Sequence, residues 1–239
     1  MKVKSLYTIV YDCENFIAVN KLSGISVGGD RWDESKERLD KLICTSLSLN
    51  KIFTVHRIDK ETSGLVIFAK NQETHKNISL NFENRETLKK YIAVVHGRPA
   101  WKETVCDLPL VPNGNKKHMT IIDKYRGKKS LTRFSHLLSA GNYSVLEVFP
   151  ETGRIHQIRV HAAYLGHPVV CDSLYGKGNS IKLSSFKKKW RGDPINEKPL
   201  LSRLGLHAAE LSLPEIDKLT APLQKDIASL LNQMEKSKS

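Results

Sequence analysis

The segment HRIDKETSG, residues 56–64, places side chains capable of acid–base or ion-pair chemistry between two apolar runs. His56, Arg57 and Asp59 follow KIFTV and precede LVIFAK, so we expect them at a turn between two strands. Asp, Ser and Gly are ordinary turn residues, and an Arg and an Asp two positions apart can form a surface pair. The segment alone leaves both a structural turn and a catalytic carboxylate open, with Glu61 as a second acid nearby.

A second group of polar side chains occurs in FPETGRIHQIRVHAAYLGHP, residues 149–168. Apolar residues recur there at helical spacing, which predicts a helix after ETGR, and we expect Thr152 to cap its start. Arg159 falls at the edge of the apolar stripe, where an unpaired guanidinium is costly to bury. Asp59 is a plausible acceptor for it, and the pair would keep that carboxylate ionised in a dry pocket.

Basic residues dominate the charge balance, with 38 Lys and Arg against 25 Asp and Glu and a formal net charge of +13. Such a surplus indicates a polyanionic partner, and nucleic acid is favoured because no run approaches the ~18 apolar residues of a membrane span. The N-terminal residues are not typical of a signal peptide. Four cysteines without Cys-x-x-Cys spacing argue against a zinc site and against a disulfide framework. We therefore expect a cytoplasmic protein with no bound metal and no membrane association.

Many short apolar runs with few helices between them predict an α+β fold, a mostly antiparallel mixed sheet with flanking helices around a central basic cleft. A polar helix is expected in DESKERLDKLICTSL, and a C-terminal helix at about 219–235. The whole chain, 1–239, is expected to be one domain and a monomer. Two segments dense in Lys and Arg, 113–130 and 177–199, are predicted to be basic surface insertions that either contact phosphate or remain solvated.

Four motifs occur in order along the chain: HRIDKETSGLVIFAK, KKYIAVVHG, PETGRIHQIRVHAAYLGHPVVCDSLYG and LGLHAAELSLP. In sequence, order and separation they resemble the RluA-type pseudouridine synthases, from about residue 8 to residue 214. The opening DCENFIAVNKLSG is similar to that family's N-terminal pattern. The chain departs from the family at Leu22 (usually Pro), Ile58 (usually Leu) and Cys171 (usually Gly), all beside the functional positions. We expect the catalytic domain only, without the S4-type RNA-binding module that many relatives carry.

The resemblance implies a pseudouridine synthase-like fold and a cofactor-free enzyme that isomerises uridine within structured ribosomal or transfer RNA. The bond from C1′ to N1 is cleaved, the base rotates, and C5 is joined to C1′. Asp59 is the expected catalytic carboxylate, as nucleophile at C1′ or as the base for a sugar proton, and the target uridine must be flipped out of its stack. Tyr91 resembles the family's active-site tyrosine, which packs against the uracil and takes the C5 proton, and Arg159 is expected to pair with Asp59.

Six side chains are candidates for contact with RNA, and Arg57 among them could replace the flipped base or hold a flanking phosphate. The candidates are Arg57, His56, Lys90, Arg154, His156 and Gln157, the last expected to point away from the apolar stripe. Two other functions remain open from the sequence. One is a non-catalytic RNA-binding module with the same basic cleft, and the other is a metal-free RNA-cleaving enzyme that uses His56 and His156.

Overall fold

The computed structural model describes residues 5–29, 37–187 and 189–237. The chain divides into two compact units, the first formed by Met1–Lys89 with His207–Pro222 and the second by Lys90–Leu206 with Leu223–Ser239. Among the described residues, none of the helices combines the length and the apolar character that a membrane crossing would require.

The structure contains twelve strands and four α-helices in its described part. The strands are β1 (Tyr7–Asp12), β2 (Phe16–Lys21), β3 (Phe53–Thr54), β4 (Ser63–Ala69), β5 (Leu88–His96), β6 (Glu103–Asp107), β7 (Leu110–Val111), β8 (Ile121–Ile122), β9 (Leu131–Ala140), β10 (Tyr143–Pro150), β11 (Leu206–Leu213) and β12 (Ile216–Thr220). The helices are α1 (Leu39–Ser46), α2 (Gln72–Glu83), α3 (Gln157–Tyr164) and α4 (Lys225–Lys236).

The first unit is built on β2 and β4, which are antiparallel neighbours and are buried along their whole length. Their runs FIAVNK and SGLVIFA are almost continuously apolar, as in strands covered on both faces. β1 pairs antiparallel with β2, and β3 pairs antiparallel with the end of β4. β11 runs parallel to the start of β4, and β12 pairs antiparallel with β11. The polar segment 56–64 thus leads into the central strand of this unit.

The backbone conformation at Gly64 and the strand beside it explain why the segment HRIDKETSG ends in glycine. Its φ is +114°, a conformation that L side chains rarely adopt. A Cβ atom there would lie 2.2 Å from the carbonyl oxygen of Ala208 on β11. The parallel pairing of Gly64 with Ala208 is therefore possible only without a side chain at this position.

The second unit is an antiparallel sheet in the order β5-β10-β9-β6, and β7 and β8 form a separate two-stranded pair. Its core has two clusters. One includes Phe134, Leu146 and Ile158, and the other includes Leu230 and Met234 of α4. Burial alternates along the second half of β10, from Leu146 to Pro150, as expected for a strand with one face on the core.

The α+β class with a mostly antiparallel mixed sheet is confirmed, since the pairing of β4 with β11 is parallel and most other pairings are antiparallel. The predicted central basic cleft stays a prediction. The C-terminal helix is present but begins at Lys225, because 216–220 pairs with β11 as a strand. Helix α1 begins at Leu39, and residues 33–36 of the predicted polar helix lie outside the described residues.

The two basic segments are exposed over most of their length but are attached to the second unit. Segment 113–130 contains β8 and the buried Thr120. Segment 177–199 contributes Ile181 and Phe186 to the core cluster that includes α4. Apolar anchors of this kind restrict a loop's conformations, so the exposed cations of both segments are presented from fixed attachment points.

Candidate active site

Asp59 lies in the loop that connects β3 to β4. Its carbonyl oxygen accepts a hydrogen bond from the N–H of Thr62 at 3.1 Å, which closes a turn of four residues. Ile58 and Thr62 are buried on either side of it, whereas Asp59 itself is half-buried and Arg57 is exposed. The predicted turn is therefore present, and it holds the carboxylate at a position between two anchored neighbours.

The buried side chain of Lys21 forms hydrogen bonds that stabilise this turn, a role that the sequence analysis did not predict. Its side chain is fully buried, and its ammonium donates hydrogen bonds to the carbonyl oxygens of Leu22, Ile25 and Lys60, each at 2.9 Å. The N–H of Gly24 also donates to the Lys60 carbonyl, at 2.8 Å. Lys60 follows Asp59 directly, so one buried cation ties the 22–25 loop to the peptide beside the carboxylate. A lysine at the end of the apolar strand FIAVNK was the signal for it.

His56 has a structural task in the first unit. Its Nε2 accepts a hydrogen bond from the N–H of Ile67 at 3.0 Å. Ile67 lies on β4 between the residues that pair with β11 and those that pair with β3. Its ring stacks on Phe82, with centroids 4.7 Å apart. Burial, with a further contribution from the charge of Lys89, lowers the pKa of His56 to about 3. The ring is therefore neutral at physiological pH, which argues against His56 as a general acid in RNA cleavage. Its contact with RNA stays a prediction.

Tyr91 and Lys90 are adjacent on β5 and therefore point to opposite faces of the sheet. Tyr91 is opposite Val148 of β10 and packs, partly buried, against the core cluster that includes Ile158. The ammonium of Lys90 lies 3.4 Å from a carboxylate oxygen of Glu147. The roles predicted for Tyr91 and Lys90 stay predictions.

Arg159 forms a buried, bidentate ion pair with Asp172. The Nε–Oδ2 distance is 2.7 Å and the Nη2–Oδ1 distance is 2.8 Å, and the two side chains are only 6% and 0% exposed. Oδ1 also accepts hydrogen bonds from the N–H groups of Leu174 and Tyr175. Burial alone would raise the pKa of Asp172, but the hydrogen bonds and charge of Arg159, together with those two amides, hold it below its usual value. The carboxylate is therefore ionised and the guanidinium is fixed in orientation.

Asp172 lies within the motif VVCDSLYG, but the sequence pattern did not identify it as a partner for Arg159. The two residues are thirteen positions apart, on a helix and in the turn that follows it, so no helical or strand periodicity relates them. Asp59 and Arg159 belong to different compact units, and the pairing expected between them stays a prediction.

Gln157 is not an exposed residue that points away from the core, as the helical spacing had suggested. It is 4% exposed. Its Oε1 accepts from the hydroxyl of Thr152 and the N–H of Arg154, and its Nε2 donates to the carbonyl of Leu131 and the hydroxyl of Thr132. These four hydrogen bonds use the full capacity of an amide side chain. The expected outward orientation of Gln157 is therefore wrong, and its contact with RNA stays a prediction.

The start of α3 also differs from the expectation. Thr152 does not cap the helix, because its hydroxyl donates to Gln157 and accepts from the N–H of Leu131. The N-cap is His156, whose φ of +56° is left-handed. Its Nδ1 lies 2.9 Å from the hydroxyl of Tyr175. Arg154 is half-buried, and its Nε donates to the carbonyl of Lys129 at 3.2 Å.

Comparison with known proteins agrees with the four motifs. Residues 15–164 match the family described as RNA pseudouridylate synthase. Ribosomal large subunit pseudouridine synthase D of Borreliella burgdorferi is 36% identical over 178 residues, which cover 71% of this chain and 54% of that protein. Ribosomal large subunit pseudouridine synthase C of Buchnera aphidicola subsp. Acyrthosiphon pisum is 38% identical over 234 residues, covering 95% of this chain and 70% of that one.

A solved structure gives the same result for the fold. The structure titled human RNA pseudouridylate synthase domain containing 1 superposes with a TM-score of 0.69 at 26% identity, and the match covers 100% of this chain and 99% of that one. The chain therefore belongs to the RNA pseudouridylate synthase family.

Replacing Lys21 by Met keeps the length of the side chain but removes the three hydrogen bonds that hold the turn beside Asp59. We expect the free energy of unfolding to fall by about 3 kcal/mol, because buried carbonyl groups lose a charged donor. Urea unfolding at neutral pH measures the change. Lys41→Met, at an exposed lysine of α1, is the matched control and should stay within about 0.5 kcal/mol of the parent. Equal stability of the two variants would show that Lys21 does not secure the loop.

Replacing Arg159 by Met leaves the Asp172 carboxylate buried without its guanidinium, and we expect a loss of about 3 kcal/mol in the free energy of unfolding at neutral pH. Because the folded pKa of Asp172 is depressed, the stability from the pair is present above the ordinary aspartate pKa of about 3.9 and is lost as pH falls through the folded pKa. Urea unfolding of parent and variant should therefore give a difference that narrows at acid pH.

The control for Arg159→Met is Arg203→Met, which breaks a second bidentate Arg–Asp pair in the same unit. That pair, Arg203 with Asp226, has side chains 18% and 35% exposed, so solvent can screen the remaining carboxylate. We expect its removal to cost less than about 1 kcal/mol. If the two variants lost the same free energy of unfolding, burial would not be what makes the Arg159–Asp172 pair important. The same conclusion would follow if the stability lost in Arg159→Met did not depend on pH.

Proposed function

We propose that this chain isomerises uridine to pseudouridine within structured RNA, with Asp59 as its single catalytic carboxylate and the target nucleotide flipped into the site. The observation that carries the proposal is that the chain belongs to the RNA pseudouridylate synthase family and has Asp59 in the motif HRID, on a turn secured by a buried lysine. In this proposal residues 1–239 act as one catalytic domain and as a monomer. The proposal also has the protein act in the cytoplasm, because a reducing compartment fits four cysteines without Cys-x-x-Cys spacing.

The chemistry explains why one carboxylate is sufficient. Cleavage of the bond from C1′ to N1 develops oxocarbenium-like charge on the sugar, which an ionised carboxylate beside C1′ stabilises or attacks. A glycosidase uses two carboxyl groups because it must also protonate a departing group or activate water. Here the base is retained, and a second carboxylate would have no step to perform. Glu61, the neighbouring acid, is exposed and its Oε2 lies 3.4 Å from the hydroxyl of Ser23.

The other residues take supporting roles in this proposal. Tyr91 packs against the uracil and takes the C5 proton, and Arg159 stabilises the charge of Asp59. The ion pair with Asp172 holds the guanidinium of Arg159 in one orientation, and the contact with Asp59 is a proposal. Exposed Arg57 contacts the RNA beside the flipped nucleotide. Lys90, Arg154 and His156 are further proposed contacts.

We propose ribosomal RNA of the large subunit as the substrate, because the relatives from Borreliella burgdorferi and Buchnera aphidicola are named for the ribosomal large subunit. The chain spans 54% and 70% of those two proteins. Because the rest of each relative has no counterpart here, an experiment must test the choice of substrate. Purified enzyme is incubated with unmodified ribosomal RNA and, separately, with unmodified transfer RNA. Pseudouridine formed only in transfer RNA would overturn the choice of ribosomal RNA without affecting the reaction.

Asp59→Asn is expected to abolish isomerisation, measured as tritium released from C5-labelled uridine in RNA, while RNA affinity stays within a few fold. Affinity is spared because phosphate contacts dominate RNA binding and a single carboxylate contributes little to them. The matched control is Glu61→Gln, which removes the neighbouring exposed acid and should retain tritium release. Turnover by the Asn variant would disprove the mechanism. A parent protein that binds RNA without releasing tritium would instead identify a non-catalytic RNA-binding module.

The exposed cations of segment 177–199 are proposed to contact phosphate. Neutralising Lys187, Lys189 and Arg191 together to Gln should weaken RNA binding and reduce the slope of log affinity against log salt by about 0.7–0.9 for each phosphate that is no longer neutralised. Saturated turnover should change little, since these residues have no part in the chemistry. Binding measured at several salt concentrations gives the slope. Lys188 of the same run lies outside the described residues.

The control for this salt dependence is a second triple variant, at exposed lysines elsewhere. Lys41, Lys76 and Lys225 replaced by Gln remove the same net charge. If the two triple variants change the slope equally, the effect reflects overall charge and segment 177–199 makes no specific contact. An unchanged slope in the first variant leads to the same conclusion.

A further inference from the structure

We propose that Tyr175 is a positioning residue with two separable tasks: its ring orients Arg159, and its hydroxyl holds His156 and the basic segment 113–130. The proposal rests on the proposed function, since Arg159 and His156 are assigned there to catalysis and to RNA contact. All the contacts that carry it lie within the second compact unit.

The hydroxyl of Tyr175 joins two parts of the chain. It accepts a hydrogen bond from the N–H of Thr120 at 2.9 Å and lies 2.9 Å from Nδ1 of His156. A phenol has one proton and two acceptor sites, so both hydrogen bonds form at once. Burial raises the pKa of Tyr175 despite the hydrogen bonds with Thr120, so the phenol keeps its proton at physiological pH.

The contact with Thr120 attaches the basic segment 113–130 to this hydroxyl, in addition to the pairing of β8 with β7. Thr120 is buried, and on either side of it the segment carries cations that are exposed to solvent. These are Lys116, Lys117, Lys124, Arg126, Lys128 and Lys129. His156, the other partner, is the N-cap of α3 and has a left-handed φ of +56°. One hydroxyl therefore contacts both His156, a proposed RNA contact, and a segment that is rich in exposed cations.

The ring of Tyr175 has a different partner. The guanidinium carbon of Arg159 lies over it, 5.2 Å from the ring centroid, at a distance suited to a cation–π interaction. The backbone N–H of Tyr175 donates at 3.1 Å to Asp172, the same carboxylate that pairs with Arg159. The guanidinium is thus held at its edge by Asp172 and on its face by Tyr175. Loss of the ring should therefore disturb Arg159, whereas loss of the hydroxyl alone should not.

Two substitutions separate these tasks. Tyr175→Phe removes the hydroxyl and keeps the ring, and we expect the Kd for RNA to rise about fivefold, the equivalent of one net hydrogen bond, with kcat within twofold of the parent. Tyr175→Leu also removes the ring, and kcat should fall at least tenfold below that of the Phe variant. Tyr143→Phe is the matched control, at another half-buried tyrosine of the same unit, and should change neither quantity.

A spectroscopic measurement makes the hydroxyl contact testable without activity. In protein labelled with ¹⁵N-histidine, with the His156 signals assigned from a His156→Gln variant, the Nδ1 resonance of His156 should shift in Tyr175→Phe and not in Tyr143→Phe. If the Leu variant does not fold, the Phe variant and this resonance still decide the hydroxyl's role, because the ring is retained.

Two results would overturn the proposal. One is an unchanged Kd and an unshifted Nδ1 resonance in Tyr175→Phe. The other is a parallel change of kcat and Kd in both Tyr175 variants together with a lower melting temperature, which would show a merely structural tyrosine. Failure of the proposed function looks different: the parent itself would release no tritium from labelled RNA, while the effects of Tyr175→Phe on RNA affinity and on the resonance would remain.

Discussion

The cost of burying charge governs the organisation of the candidate site in the second unit. Arg159 and Asp172 are almost completely removed from solvent, and such a pair is tolerated only when its geometry is good and its remaining hydrogen-bonding capacity is used. The pair is bidentate, and two backbone amides complete the acceptor side. The turn that follows Asp172 is therefore bound to α3, and Tyr175 is brought to the face of the guanidinium.

The same constraint operates in the first unit, with a different solution. Lys21 is buried and donates to three backbone carbonyl groups, one of them in the turn that carries Asp59. Charged donors form stronger hydrogen bonds than neutral ones, so one side chain secures two loops that have no regular secondary structure. His56 acts similarly as a neutral acceptor for an amide of β4. The proposed catalytic carboxylate is thus supported by residues that need not touch RNA.

The sequence was a good guide to the class of fold and to the family. The motifs HRID and QIR singled out Asp59 and Arg159 because these charged residues stand beside apolar runs. It was a poor guide to what satisfies the buried polar groups. Helical spacing predicted that Gln157 would point away from the core. The amide is instead buried and forms four hydrogen bonds with the neighbouring strand and turn. Helical periodicity predicts which side of a helix faces the core. It does not predict that a polar side chain will be buried because neighbouring segments supply its hydrogen-bond partners.

The sequence by itself determined the α+β class, the strand-flanked position of Asp59, the basic surplus and the family, because these depend on local patterns and on motifs that are contiguous in the chain. Only the tertiary structure decided the partners: Asp172 for Arg159, the carbonyl of Lys60 for Lys21, and the hydroxyl of Tyr175 for His156. These contacts join residues 13, 39 and 19 positions apart. At such separations neither helical nor strand periodicity relates two side chains, and it is the packing of loops around buried charge that brings them together.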